Sequence, residues 1–444
     1  MLLKPALTPL HYTSKRYNAF SPPHPQEQHP LLSHALIWTI AALSIALMLL
    51  RPFRLPEVLW VGAGAILICA LRLIPLSLAG KAIAEGLDVY LFLTGMMLLS
   101  ELARDHGVFD WLANISVTHA NGSSRRLFTL IYLVGTIVTI FMSNDATAVV
   151  LTPAVLTAVK RAKARPVPYL LACAFIANAA SFVLPISNPA NLVVFHSNMP
   201  PLSRWLVMFT LPSIASILIT YVLLRWLSRT DLDPACSSST EHISLSSTGR
   251  TCLIGIILTA AVLIAASALK LDLGLPTCLA ALAVAIIATI QSRANPTRLI
   301  REVSWSVLPL VAALFVIVEA INTAGATEML RASLERMTQL PPSQAAFRVG
   351  TAVAFGTDLF NNLPLGLITG STLRTIPFQP LFAKIVLIAI DLGPNLSITG
   401  SLATILWLIA IRREGLHVSG WQFFRIGMLV MPISLLFALA AAFI

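Results

Sequence analysis

Hydrophobic and polar positions alternate along this chain in long blocks rather than at short period. Apolar runs fall at approximately 33–50, 56–76, 87–104, 127–159, 167–199, 203–227, 252–270, 274–291, 304–324, 345–373, 377–411 and 422–444. Most approach or exceed the roughly 20 residues that cross a bilayer as a helix. The polar stretch LSRTDLDPACSSSTEHISLSSTGR, Leu227 to Arg250, divides them and predicts a solvated linker over 228–250. The same grammar repeats on either side. Three ordinary runs precede two long interrupted ones, and one ordinary run follows. The interruptions are SNDA (Ser143–Ala146), PISNPAN (Pro185–Asn191), DLFNNLP (Asp358–Pro364) and DLGPNLSITGS (Asp391–Ser401). Proline and glycine weaken helical hydrogen bonding, and asparagine competes for backbone groups. Lipid tolerates such backbone only where it is buried in protein or lines a cavity. Four interrupted runs therefore predict four unwound segments that meet in one polar cavity.

This pattern predicts an all-α polytopic membrane protein of two inverted repeats, with about ten transmembrane helices, two re-entrant hairpins and two broken helices. A polar tail occupies 1–32. The first repeat spans 33–227, with a hairpin at 127–159 and a broken helix at 167–199. The second spans 251–444, with a hairpin at 345–373 and a broken helix at 377–411. The first hairpin follows from length and charge. Each arm around Ser143–Asp145 is about 15 residues, or roughly 22 Å, short for a crossing. Both feet are basic, Arg125-Arg126 before and KRAKAR (Lys160–Arg165) after, which places both in the cytoplasm by the positive-inside rule. Alternation then puts Arg51, Arg54, the linker, Arg293, Arg298, Arg301, Arg412 and Arg413 inside, and Lys81, Lys270, Arg331, Arg336 and Arg374 outside.

Composition changes the picture only by exclusion. Of 444 residues, 57% are hydrophobic and 11% charged, against roughly 25% charged in soluble domains. The alternating segments of an outer-membrane barrel are absent. The net charge of +11 sits in loops between apolar runs, without a basic patch interleaved with aromatics, so nucleic acid is not an expected partner. The N-terminal residues have no signal-peptide pattern, and 33–50 reads as a span. Cys69, Cys173, Cys236, Cys252 and Cys278 form no CxxC and predict neither a redox site nor a metal site. No GxxxxGK[ST] or HExxH occurs, which argues against an ATP site in this chain and against an intramembrane enzyme.

An acid inside a membrane run is a functional candidate by default. Asp145, Asp358 and Asp391 are such acids, and each also suits a helix cap. His196 is a weaker candidate for proton relay. Trp60, Trp205, Trp305 and Trp421 lie near run ends and predict interfacial anchors.

The segments FMSNDATAVVLTPAVL, NNLPLGL and DLGPNLSITGSLATILW resemble the arsenite/antimonite efflux permeases of the ion transporter superfamily, over essentially the whole chain and in motif order. The first segment is also similar to the Ser-Asn-Thr tips of sodium/dicarboxylate symporters. Here the third position is Asp145, and the second tip reads Phe360-Asn361-Asn362. These departures remove hydroxyl ligands for sodium and favour proton coupling. The resemblance implies secondary active export of arsenite or antimonite by proton antiport, in a bacterial inner membrane, without a cofactor. Some members work with a soluble arsenical-pump ATPase, and a homo-oligomer is compatible with the resemblance. The residues suit such a cargo. Arsenous acid is small, neutral and carries three hydroxyls, and amides both donate and accept. Ser143, Asn144, Asn188, Asn191, Asn361, Asn362 and Asn395 are the expected substrate contacts. Asp145, Asp358 and Asp391 are the expected proton carriers. No arginine or lysine lies in the four breaks, which disfavours a polycarboxylate. A sodium/proton antiporter or a carboxylate carrier of the same superfamily is the alternative.

Overall fold

In a computed structural model, residues 30–195, 199–232, 235–237, 244–293, 295–375 and 380–444 are described; residues 1–29 of the polar tail and His196 lie outside them. The first half contains α1 (Pro30–Leu50), α2 (Glu57–Ala70), α3 (Leu76–Glu85), α4 (Leu87–Asp105), α5 (Val108–Ala120), α6 (Ser124–Phe141), α7 (Thr152–Arg161), α8 (Val167–Ala179), α9 (Pro189–Phe195) and α10 (Leu202–Leu227). The second contains α11 (Ser247–Ala268), α12 (Gly274–Ser292), α13 (Pro296–Glu302), α14 (Val307–Thr323), α15 (Ala326–Thr338), α16 (Pro342–Phe360), α17 (Asn362–Thr375), α18 (Pro380–Leu392), α19 (Leu402–Arg413) and α20 (Gly420–Ala441).

The two halves follow one order. A short helix precedes α4 and another precedes α14. A left-handed glycine, Gly107 (φ 73°) or Gly325 (φ 95°), then turns the chain into α5 or α15. Packing follows the same correspondence: α4 lies along α12 and α2 along α14, while α10 packs on α20. The first of these contacts is close enough to need glycine. A Cβ on Gly95 of α4 would stand 2.7 Å from the Thr277 carbonyl oxygen of α12, as expected where membrane helices associate through small residues.

Among the described residues, seven helical stretches are long and apolar enough to span a membrane: α1, α6, α10, α11, α12, α13 with α14, and α20. Helices α3 and α4, bent by 45°, form an eighth when joined. This count is below the ten expected from the sequence. α2 and α8 are apolar but have only 14 and 13 residues.

The chain reverses between α6 and α7. Thr139 Oγ1 lies 2.8 Å from Thr147 Oγ1, and Thr147 Oγ1 donates to the Gly135 carbonyl at 3.4 Å. A straight helix would hold residues 135 and 147 about 18 Å apart. The feet meet on one face. The Cys236 amide donates to the Gly122 carbonyl (2.9 Å) and the Ser237 amide to the Ala162 carbonyl (2.7 Å). Residues 235–237 of the linker thus form a strap across both feet. A second reversal occurs at Asn361 (φ 68°). A Cβ on Gly356 of α16 would stand 3.0 Å from the Leu365 side chain of α17.

Candidate substrate site

The first tip is built from local side-chain hydrogen bonds. Ser143 Oγ accepts from the Ala146 amide (3.2 Å) and Asn144 Oδ1 from the Asp145 amide (2.9 Å). These replace helical partners where the chain turns. Residues 146–151 then form a π-helical stretch, a form common at functional sites. The expectation that Asp145 caps the second arm fails. Its side chain makes no cap hydrogen bond, because Ser143 and Asn144 already hold the free amides. The Asp145 carboxylate therefore faces the cavity described below.

The first helix break opens at Ala180, earlier than the sequence places it. Asn191 holds it together. Its Nδ2 donates to the carbonyls of Ser181 (2.9 Å), Leu184 (3.2 Å) and Pro185 (3.3 Å). Ser187 Oγ donates to the Ile140 carbonyl at 3.0 Å, which ties this break to the first tip. Trp205, expected at the interface, is instead fully buried and donates to the Phe182 carbonyl at 3.2 Å. The indole supplies a donor to a buried carbonyl of the unwound segment.

The second break mirrors this arrangement with different residues. Asp358 belongs to the last turn of α16 and Asp391 to the last turn of α18, rather than to unwound backbone. Ser397 Oγ donates to Asp358 Oδ1 (2.6 Å), and Thr399 Oγ1 to the Asp358 carbonyl (3.1 Å). Asn361 Nδ2 donates to the Thr399 carbonyl (3.1 Å). Asn362, buried, opens α17. A Cβ on Gly427 of α20 would stand 2.4 Å from the Asn395 carbonyl oxygen, so this helix presses directly on the unwound strand.

The two breaks meet across the halves. Asn188 Nδ2 donates to Asp391 Oδ1 at 2.8 Å. Asn178 Nδ2 donates to Asn395 Oδ1 at 3.0 Å, and Asn395 Nδ2 to the Phe175 carbonyl at 3.1 Å. Asp391 Oδ2 and the Oδ1 atoms of Asn178 and Asn191 are buried without a partner.

A cavity of about 90 Å³ lies beside this network. Ser143, Asp145, Val149, Pro189 and Leu402 form one wall, and Leu93, Met96, Ser100, Glu101, Val303 and Val307 the other. Of the ten candidates, Ser143 and Asp145 line it. Asn188, Asn191, Asn361 and Asn395 spend their amides on the fold. Ser100 and Glu101 were not singled out from the sequence. Their signal was an acid near the end of the 87–104 run, in LLSELARD. Glu101 is buried and pairs with Arg104, which also bonds Glu302 Oε2 at 2.7 Å.

A larger vestibule of about 460 Å³ shares Val149, Val150, Ser304 and Leu406 with the cavity and reaches Arg104, Thr157, Arg413 and Glu414. Lys160 Nζ lies 3.4 Å from the Glu414 carbonyl, so the vestibule opens on the face of the first hairpin's basic feet. The pocket beside Glu85, Glu319, Asn322, Ser371 and Arg374 measures only about 30 Å³. The five thiols are spread over α2, α8, the linker, α11 and α12, so they form no shared arsenic site.

Divided spans around buried amides and acids define a polytopic membrane transporter rather than an enzyme. A family model described as a citrate transporter (CitMHS) matches residues 31–412. A protein of Escherichia coli named arsenical pump membrane protein is 30% identical over 365 residues, covering 78% of this chain and 83% of the relative. One of the same name from Yersinia enterocolitica is 28% identical over 362 residues, with the same shares covered. The Alcanivorax borkumensis YdaH transporter, described as having an unusual topology, shares the fold at a TM-score of 0.55 and 14% identity, covering 93% of this chain and 97% of that one. The chain belongs to the transporter family that joins the CitMHS citrate transporters and the arsenical pump membrane proteins, and it is a multi-pass bacterial membrane protein.

Proposed function

We propose that this protein exports arsenite or antimonite in exchange for protons, by alternating access of two inverted repeats. The observation that carries the reading is the lining of the small cavity: two carboxylates, three serine hydroxyls, methionines and aliphatics, with no arginine or lysine. A neutral trihydroxyl acid can accept and donate there. A citrate trianion would meet the Asp145 carboxylate with no arginine or lysine in the lining to receive its own charges, since Arg104 is already taken by Glu101 and Glu302. The names of the relatives support an arsenical cargo. Asp145 is the coupling group: it lines the cavity on the hairpin side, where protonation removes a charge beside the cargo. Proton occupancy and cargo affinity are then linked reciprocally. The hairpins and broken helices move against the scaffold of α1, α2, α4, α11, α12 and α14, and the wide vestibule on the basic face corresponds to a state open to the cytoplasm. The same superfamily's citrate and sodium/proton exchange are the competing activities. Proteoliposomes with an imposed pH gradient, assayed in parallel for arsenite, citrate and sodium, decide among them. Accumulation of arsenite alone is expected. Transport of citrate without arsenite overturns the reading.

A further inference from the structure

A second cleft, of about 280 Å³, lies at the end of α10 and is lined by Arg125, Tyr221, Val222, Arg225, Trp226, Arg229 and Leu232. It stands apart from the transport cavity, with which it shares no residue. Three guanidinium groups line it and, among the described residues, no carboxylate does. Arg225 is half-buried, yet its partners are neutral. Its Nη1 donates to Tyr221 Oη (2.6 Å) and Thr129 Oγ1 (2.9 Å), and its guanidinium lies 5.8 Å from the Tyr221 ring centroid. Arg229 lies 5.6 Å from the Trp226 ring centroid. Asp231, two residues on, is taken by Arg165 at 2.6 Å. Hydroxyls and aromatic rings orient Arg225 and Arg229, but they do not neutralise them. A half-buried guanidinium without a counter-charge among the described residues calls for an anion.

The surroundings identify the anion's carrier. Leu218, Val222 and Trp226 are 55%, 54% and 53% exposed along the outward face of α10. They form an apolar approach that ends in an aromatic residue and then in arginines, the sequence expected where a helix leaves the hydrocarbon for the headgroup layer. The cleft adjoins the start of α6, on the face where the strap joins the feet of the first hairpin. We propose that it holds the phosphate of an anionic phospholipid, with Arg225 and Arg229 on the phosphate and the acyl chains along Leu218 and Val222. Basic pockets between membrane helices bind such headgroups.

Native mass spectrometry of the full-length protein in mild detergent tests the proposal. Delipidated protein would be titrated with phosphatidylglycerol, phosphatidylethanolamine and inorganic phosphate. Phosphatidylglycerol is expected to bind preferentially, and its adduct to weaken as salt rises while the phosphatidylethanolamine adduct does not. Arg225→Gln and Arg229→Gln should each lower retention about five-fold, and the double variant roughly thirty-fold. Arg225→Lys with Arg229→Lys should recover most of it. Unchanged retention in the double glutamine variant overturns the proposal. So does displacement by millimolar phosphate, which would make the site one for the free ion. The salt dependence of the unmodified protein decides the matter if a variant does not fold: salt-insensitive binding overturns it.

Discussion

Asn191 separates a structural amide from a substrate amide, and its replacement is the sharpest test of how this site is built. The side chain is fully buried, and its Nδ2 serves three carbonyls with two hydrogens. Asn191→Ala removes both donors and leaves at least two buried carbonyls unsatisfied. Each unsatisfied group costs roughly 1–3 kcal/mol, so the total is about 2–6 kcal/mol. Against a native stability of about 5–15 kcal/mol, that is a large fraction. Trp205 donates to Phe182 in the same break and serves as the reporter. Tryptophan-fluorescence melting in detergent should show Asn191→Ala unfolding well before the parent. Isothermal calorimetry on the folded fraction should give arsenite affinity close to that of the parent. A variant that melts like the parent but no longer binds arsenite would refute the reasoning, since the amide would then face the cargo.

Asp145→Asn keeps the size of the side chain and deletes the ionisable group. It should fold and bind arsenite but fail to concentrate it in proteoliposomes under a pH gradient, and near-parental accumulation would move coupling to Asp358 or Asp391. Ser143→Ala should lower arsenite affinity with about 1 kcal/mol of stability lost, from its single bond to the Ala146 amide; equal affinity would remove Ser143 from the site. Gly427→Val places carbon against the Asn395 and Leu396 carbonyls and should destabilise by about 1–3 kcal/mol or more, read as earlier melting. Cysteines at positions 125, 157 and 160 should react with a hydrophilic maleimide from the cytoplasmic side, whereas one at 371 should react slowly. Labelling of 125 and 160 from opposite sides would eliminate the hairpin.

The breaks were legible because Asn, Pro and Gly have no ordinary reason to interrupt an apolar run. Their positions shifted by a few residues where hydrogen bonding decides, as at Ala180 and at Asp358 in the last turn of α16. Helices α3, α5, α13 and α15 were not legible. They are short, and three of them carry several charges, so they never form an apolar run. The partners of each amide were hidden as well. Nothing in the spacing of Asn188 and Asp391, 203 residues apart, announces their pairing. Composition likewise could not tell the buried Trp205 from an interfacial one, because only the orphan carbonyl of Phe182 decides it. Glu101 escaped for the opposite reason: it stands three residues before Arg104 and reads as an ordinary pair at a helix end.

The cavity wall supplied by Leu93, Met96, Val303 and Val307 shares no hydrogen bond with the amide network that joins the two breaks. The two can therefore diverge at different rates. Exchanges among these aliphatic and thioether side chains resize the chamber at small energetic cost, while the network that holds the unwound strands stays intact. A lineage built on this plan can acquire a new cargo through a handful of substitutions on this one wall, without relearning how to fold.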